Sequence, residues 1–409
     1  MNRKLLEKYA TLIVKMGVNV QKGQEVIINI GLENFDLLEL LVEKCYEAGA
    51  SRVEVEYDNP TLTKLHVKYR TLETLSHLTS VERAQQEKNV TVKPARIYIK
   101  SDDPDALKGI DQEKLSVSRK ILLPEIKFYR DQIEDDYQWC ICTAPSIPWA
   151  KKVFPDVRDE EAVEKLWEAI LFASRVDEET DPLENWKKHN DTLNQKSQYL
   201  NSLNLDHLIY KSSNGTDFKV SLIEDGLFVG GKETTKTLKV QYNPNIPSDE
   251  IFTSPFSGRC EGVVYSTKPL SYQGEIIDDF YLIFKNGEVV EVHAKRGEEL
   301  LKKMISMDEG ARKLGECALV PYETPINKLN ITFFKTIFDE NASCHLALGR
   351  GFSVIKDYEK YSEAELKEKG INESMIHVDF MIGSSDLSIV GVSRDGTKHQ
   401  IFINGGWAF

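Results

Sequence analysis

The alternation of strand-like and helix-like segments through residues 25–143 most restricts what this chain can fold into. Residues 25–30 form a short β-rich run after Gly23. Residues 35–48 place Leu37, Leu38, Leu41 and Cys45 on one side of a helix, with Gly49 as its stop signal. Residues 52–57 alternate charged and apolar side chains, as a half-buried strand does. Residues 95–100 and 137–143 are further strand candidates, again separated by helical stretches. Strands that alternate with helices build βαβ units. The first half is therefore expected to be an α/β domain with a largely parallel sheet.

The second half follows a different pattern. Asn214-Gly215, Asn286-Gly287 and Asp395-Gly396 each sit between β-rich runs, such as 279–285 and 288–294. These dipeptides supply the positive φ angles of type I′ hairpin turns, so an α+β domain with antiparallel hairpins is expected. One long helical pattern runs over 297–314. Between the halves, residues 177–203 read as a connector. The acidic run Asp177-Glu178-Glu179-Thr180-Asp181 ends in an N-cap aspartate, with Pro182 at the first helical position and Glu184 close behind. A chain of 409 residues exceeds the usual size of one core. The expected domains are 1–185 and 186–409.

Charge and cysteine content exclude several classes of function. Acidic residues outnumber basic ones by 65 to 52, and no basic face is evident, which argues against nucleic acid as a partner. The N-terminal Leu5, Leu6, Tyr9, Leu12, Ile13 and Met16 fall at helical spacing with charges between them, unlike a signal peptide. No stretch is long enough to span a bilayer, so no membrane partner and a cytoplasmic location are expected. Cys140 and Cys142 match neither a redox motif nor a zinc knuckle and read as inert core thiols.

No Gly-x-Gly-x-x-Gly, Walker loop or Gly-x-Ser-x-Gly elbow is present. What stands out is a set of acids and histidines in the C-terminal half. In Ile376-His377-Val378-Asp379-Phe380, residues two apart on a strand share a face. An imidazole and a carboxylate would then project together while Val378 and Phe380 face the core. That makes half a site for a divalent ion, or simply a surface pair. Glu340 and His345 flank a short polar turn, where they read equally as a solvated acid and a core-edge histidine. Glu316 follows a glycine that reads as a helix end and leads into an apolar strand; buried there without a partner, it would cost on the order of several kcal/mol. Glu250 starts a short extended segment. Three glutamates, one aspartate and two histidines suit two divalent ions that share a carboxylate.

The segments SDEIFTSP, GARKLGECALVP, FDENASCHLALG, HVDFMIGS and FINGGWAF closely resemble the metallo-aminopeptidase family of aminopeptidase T, aminopeptidase S and PepS. The similarity runs through the whole chain and is densest from about residue 240 onward. The resemblance implies that Glu250, Glu316, Glu340, His345, His377 and Asp379 are the metal ligands, with Glu316 as the bridge. It implies two zinc or cobalt ions, with magnesium or manganese as substitutes, short peptides as substrates and a homodimer. Metal-activated water would remove N-terminal residues, with the N-terminal domain as a lid or dimerisation module. Members of this family tend to carry a tyrosine soon after the HLALG segment. Here Phe352 stands in that place, with Tyr358 and Tyr361 further on, so no phenol is carried over as a catalytic group. The competing expectations are a two-metal hydrolase of a non-peptide amide or a phosphoester, and a non-enzymatic binding protein in which the acids are a solvated rim and the βαβ domain holds a ligand.

Overall fold

A computed structural model describes residues 2–101, 103–272 and 275–409. The chain divides into two compact units, Met1–Lys188 with Lys232–Pro247, and His189–Gly231 with Ser248–Phe409. The helix Pro182–Ser202 runs across the division, and its start is capped as its sequence suggests: the Asp181 carboxylate accepts the Leu183 N–H at 2.9 Å.

The first unit is built on four parallel strands, β1 (Glu25–Ile30), β2 (Arg52–Tyr57), β3 (Ala95–Lys100) and β4 (Trp139–Thr143), in the order β2-β1-β3-β4. The central strands supply the core through Val26, Ile28, Ile30, Ile97 and Ile99, all buried. β2 lies at an edge, which accounts for its charged alternation. Cys140 and Cys142 are buried thiols with their sulfurs 3.4 Å apart, and burial pushes the Cys142 thiol up, which suits inert packing.

The second unit holds a large antiparallel sheet and a smaller one. The large sheet has nine strands among the described residues, with Leu205–Lys211 and Asp217–Leu222 near its centre. All three glycine-containing turns join antiparallel partners, as expected. Only Asn286-Gly287 has positive φ at both residues, 52° and 80°; at the other two turns the glycine alone is left-handed, within longer loops. The helical pattern over 297–314 is cut short. The helix spans Glu298–Met304, and a strand already begins at Leu314. Beyond the helix end, Asp308 turns its carboxylate to the Ala311 N–H at 2.9 Å and the Met375 N–H at 2.7 Å, so the segment before the strand takes a different path. Among the described residues no helix is long and apolar enough to cross a membrane.

The smaller sheet has four antiparallel strands, in the spatial order His377–Met381, His345–Gly349, Leu314–Leu319 and Ile251–Thr253. One of its faces is apolar: Ile251, Cys317, Leu319, Leu346, Leu348, Val378 and Phe380 join the core that the large sheet also lines. At roughly 1.5–3 kcal/mol for each large side chain removed from water, that face anchors the sheet. Its other face is free to carry chemistry.

Candidate metal centre

Strand register collects the charged residues on that second face. Glu316 pairs with Ala347, and Ala347 with Asp379, so the three form a row across the sheet. His345 lies two residues before Ala347 on the same strand, and His377 two before Asp379, so both imidazoles share the row's face. Glu250 stands two residues before Phe252, which pairs with Ala318, itself opposite His345. The methyl group of Ala347 leaves open the space that Glu316 and Asp379 enter from either side.

The distances divide this set into two groups that share Glu316. The first is Glu250, Glu316 and His345; the second is Glu316, His377 and Asp379. Within each group the ligand atoms lie within 4.8 Å of one another. His345 Nε2 is 3.4 Å from Glu250 Oε2 and 3.8 Å from Glu316 Oε1. His377 Nε2 is 3.2 Å from Glu316 Oε2 and 3.2 Å from Asp379 Oδ1. Glu316 thus sends one oxygen toward each imidazole. Each ring is oriented from behind: His377 Nδ1 donates to the Arg350 carbonyl at 2.7 Å, and His345 Nδ1 to the Ser343 carbonyl at 3.4 Å. That arrangement leaves both Nε2 atoms aimed at the carboxylates, as a metal-ligating histidine is held by its outer partners.

Glu340 opens the 3₁₀ turn Glu340–Ala342 and stands outside both tight groups. Burial raises its pKa well above the usual carboxylate range, and the charges of Glu250 and Asp379 add to the rise, which places it in the same field. Burial likewise raises Glu250. Burial opposes the charged form of His377, but bonds to Asp379 and Glu316 overcome it and hold its pKa at about 11. Burial opposes the charge of His345 as well, and its bonds to Glu250 and Glu316 raise its pKa well above the usual imidazole value. Burial also works against Glu316, and the two imidazoles outweigh it and keep this carboxyl below its ordinary range. The carboxylates around the two imidazoles thus favour positive charge on both rings. A divalent cation fits the same donor set, since it would replace both protons and satisfy the buried acids.

Some features of the site are legible only in three dimensions. Gly315 lies inside the Leu314–Leu319 strand rather than at a helix end; a Cβ there would stand 2.2 Å from the Arg350 carbonyl oxygen. The Phe352 ring is 4.9 Å from the His377 ring and 5.5 Å from that of Phe252. Ser254 Oγ pins the Phe352 backbone, accepting its N–H at 2.8 Å and donating to its carbonyl at 2.9 Å. Tyr358 and Tyr361 pack instead against a separate cluster of Ile223, Ile355 and Ile371. Ala347 went unread in the sequence; the series His345, Ala347, Gly349 marks it as a small residue on one strand face, with leucines on the other, but not its place between Glu316 and Asp379.

The family description "Thermophilic metalloprotease (M29)" matches residues 2–407. Aminopeptidase 2 of Geobacillus stearothermophilus is 41% identical over 413 residues, covering 100% of this chain and 99% of that protein. Aminopeptidase AmpS of Bacillus subtilis is 40% identical, covering 99% of this chain and 98% of that protein. The structure of wild-type AmpT from Thermus thermophilus superimposes with a TM-score of 0.89 at 37% identity, covering 100% of both chains. Likeness of sequence and of structure thus extends through both units to the sheet that carries the acids. The chain belongs to the thermophilic metalloprotease family M29 and is a metallo-aminopeptidase, a hydrolase that acts at the N-terminus of peptides.

Proposed function

We propose that Glu250, Glu316, Glu340, His345, His377 and Asp379 hold two divalent ions, zinc or cobalt, and that the enzyme removes the N-terminal residue from short peptides. The observation that carries this reading is the division of the Glu316 carboxylate, one oxygen toward His345 and the other toward His377. Such ions supply Lewis acidity and make hydroxide available near neutral pH. The chain's own residues do the rest. Ser343 and Arg350 carbonyls fix the two imidazole tautomers, and the carboxylates neutralise the cations. The Phe352 ring, 41% exposed beside His377, offers an apolar surface to the first side chain of the substrate. In this reading residues 186–409 are the catalytic domain, and residues 1–185 limit access or pair the subunits of a cytoplasmic homodimer.

Metal analysis of the purified protein, with turnover of a dipeptide measured before and after chelation, tests the reading. Two ions per chain, loss of turnover in chelator and its return with zinc or cobalt are expected. Full turnover in chelator, or protein without stoichiometric metal, would overturn it.

Ala347 supplies a second test. Ala347→Leu should exclude metal by filling the gap between Glu316 and Asp379, while overpacking costs about 1–3 kcal/mol of stability. A variant with wild-type metal content would show that this gap is not where the ions sit.

A further inference from the structure

Asn341 lies beside the metal-binding face without belonging to it. Its side chain is fully buried, and its three hydrogen bonds run to the segments that carry two of the acids. Oδ1 accepts the Asp249 N–H at 2.6 Å, next to Glu250. Nδ2 donates to Glu340 Oε1 at 3.3 Å and to the Ile337 carbonyl at 3.1 Å. These partners fix which way the amide points. A flipped amide would set its oxygen against a carboxylate and a carbonyl, and its NH₂ against an N–H.

The segments tied in this way are distant in sequence, 92 residues separating Asp249 from Asn341. Glu340 sits on a turn and Glu250 at the entry to a strand, so neither is placed by the sheet ladder that sets Glu316 and Asp379. Two buried carboxylates repel unless something holds them. A neutral amide can do so without adding charge: one end occupies a Glu340 oxygen and orients the carboxylate, and the other end anchors the backbone that presents Glu250.

We infer that Asn341 is the positioning residue for one of the two ions, aligning Glu340 and Glu250 on the His345 side of Glu316, while the His377–Asp379 side is set by strand register and the Arg350 carbonyl. This rests on the two-ion reading above, and it predicts that the two ions respond differently to changes at Asn341.

The experiment is a cobalt titration of metal-free wild type, Asn341→Asp and Asn341→Ala. It follows equivalents bound, dissociation constants and the visible absorption of the bound cobalt, with melting temperature measured with and without metal. Asn341→Asp keeps the volume and the bond to Asp249 but turns a carboxylate toward Glu340, so it is the deciding variant; the alanine variant removes both ties. Both should lose about 10–100-fold in affinity for one ion and keep the other, as loss of an outer-sphere partner typically does. The rise in melting temperature on metal loading should shrink, and the cobalt spectrum should change for the weakened ion alone. Unchanged affinities for both ions, with melting lowered equally with and without metal, would reduce Asn341 to a scaffold residue and overturn the inference. Wild type that binds fewer than two ions would overturn the two-ion reading itself, before any variant is compared.

Discussion

Glu316→Gln should empty both ion positions and reduce turnover to that of the metal-free protein, whereas Glu340→Gln should leave one ion bound. The difference follows from how the two carboxylates are placed. Glu316 stands at one end of the row that crosses the sheet through Ala347 to Asp379, 3.8 Å from His345 Nε2 through one oxygen and 3.2 Å from His377 Nε2 through the other. Glutamine keeps the shape but replaces one oxygen with an NH₂ group, which is a donor and no ligand, and it removes the negative charge that both cations share in the proposed centre. Each ion position therefore loses either a ligand atom or the charge behind it. Glu340 lies to one side, outside both close groups. Metal content by elemental analysis, alongside turnover, reads the contrast. Equal residual occupancy in the two variants would remove Glu316 from its bridging role.

The parts of this centre that could be read from sequence were those set by local periodicity. His377 and Asp379 share a face because a strand repeats every two residues, and Val378 and Phe380 do turn into the core. The parallel order of the first sheet follows from strands that alternate with helices, and the three glycine turns do connect antiparallel strands. Local pattern failed where a distant contact decides. The helical run over 297–314 looks continuous, yet the helix ends at Met304 and the residues beyond it are held by Asp308 bonded to Ser374 and Met375, more than sixty residues on. Gly315 reads as a helix terminator, yet it is small because the Arg350 carbonyl passes beside it. Nothing in the order of residues says that Ala347 lies between Glu316 and Asp379, since that depends on which strand takes the middle of the sheet. Asn341 was hidden for the same reason: its partner at Asp249 becomes visible only when the two segments meet.

Acetylating the substrate's N-terminus should cost on the order of 10⁴-fold in kcat/KM, the scale on which a site built for one polar group rejects the analogue that lacks it. In the proposed two-ion centre, four carboxylates, Glu250, Glu316, Glu340 and Asp379, would balance the charge of two divalent ions when the imidazoles are neutral, so the loaded centre would have no net positive charge to attract a terminal carboxylate. A free amine has either a lone pair for a cation or N–H groups for a carboxylate oxygen. An acetylated nitrogen has lost its basicity and its charge, and its acyl group needs room among buried acids. Amidating the C-terminus changes none of these contacts and should leave turnover nearly unaltered. The comparison is kcat/KM for one tripeptide in three forms: free, N-acetylated and C-amidated. Comparable values for the free and acetylated forms would mean that the carboxylate-rich centre is not what recognises the α-amino group. A large loss on amidation would point instead to a cation that binds the far end of the peptide.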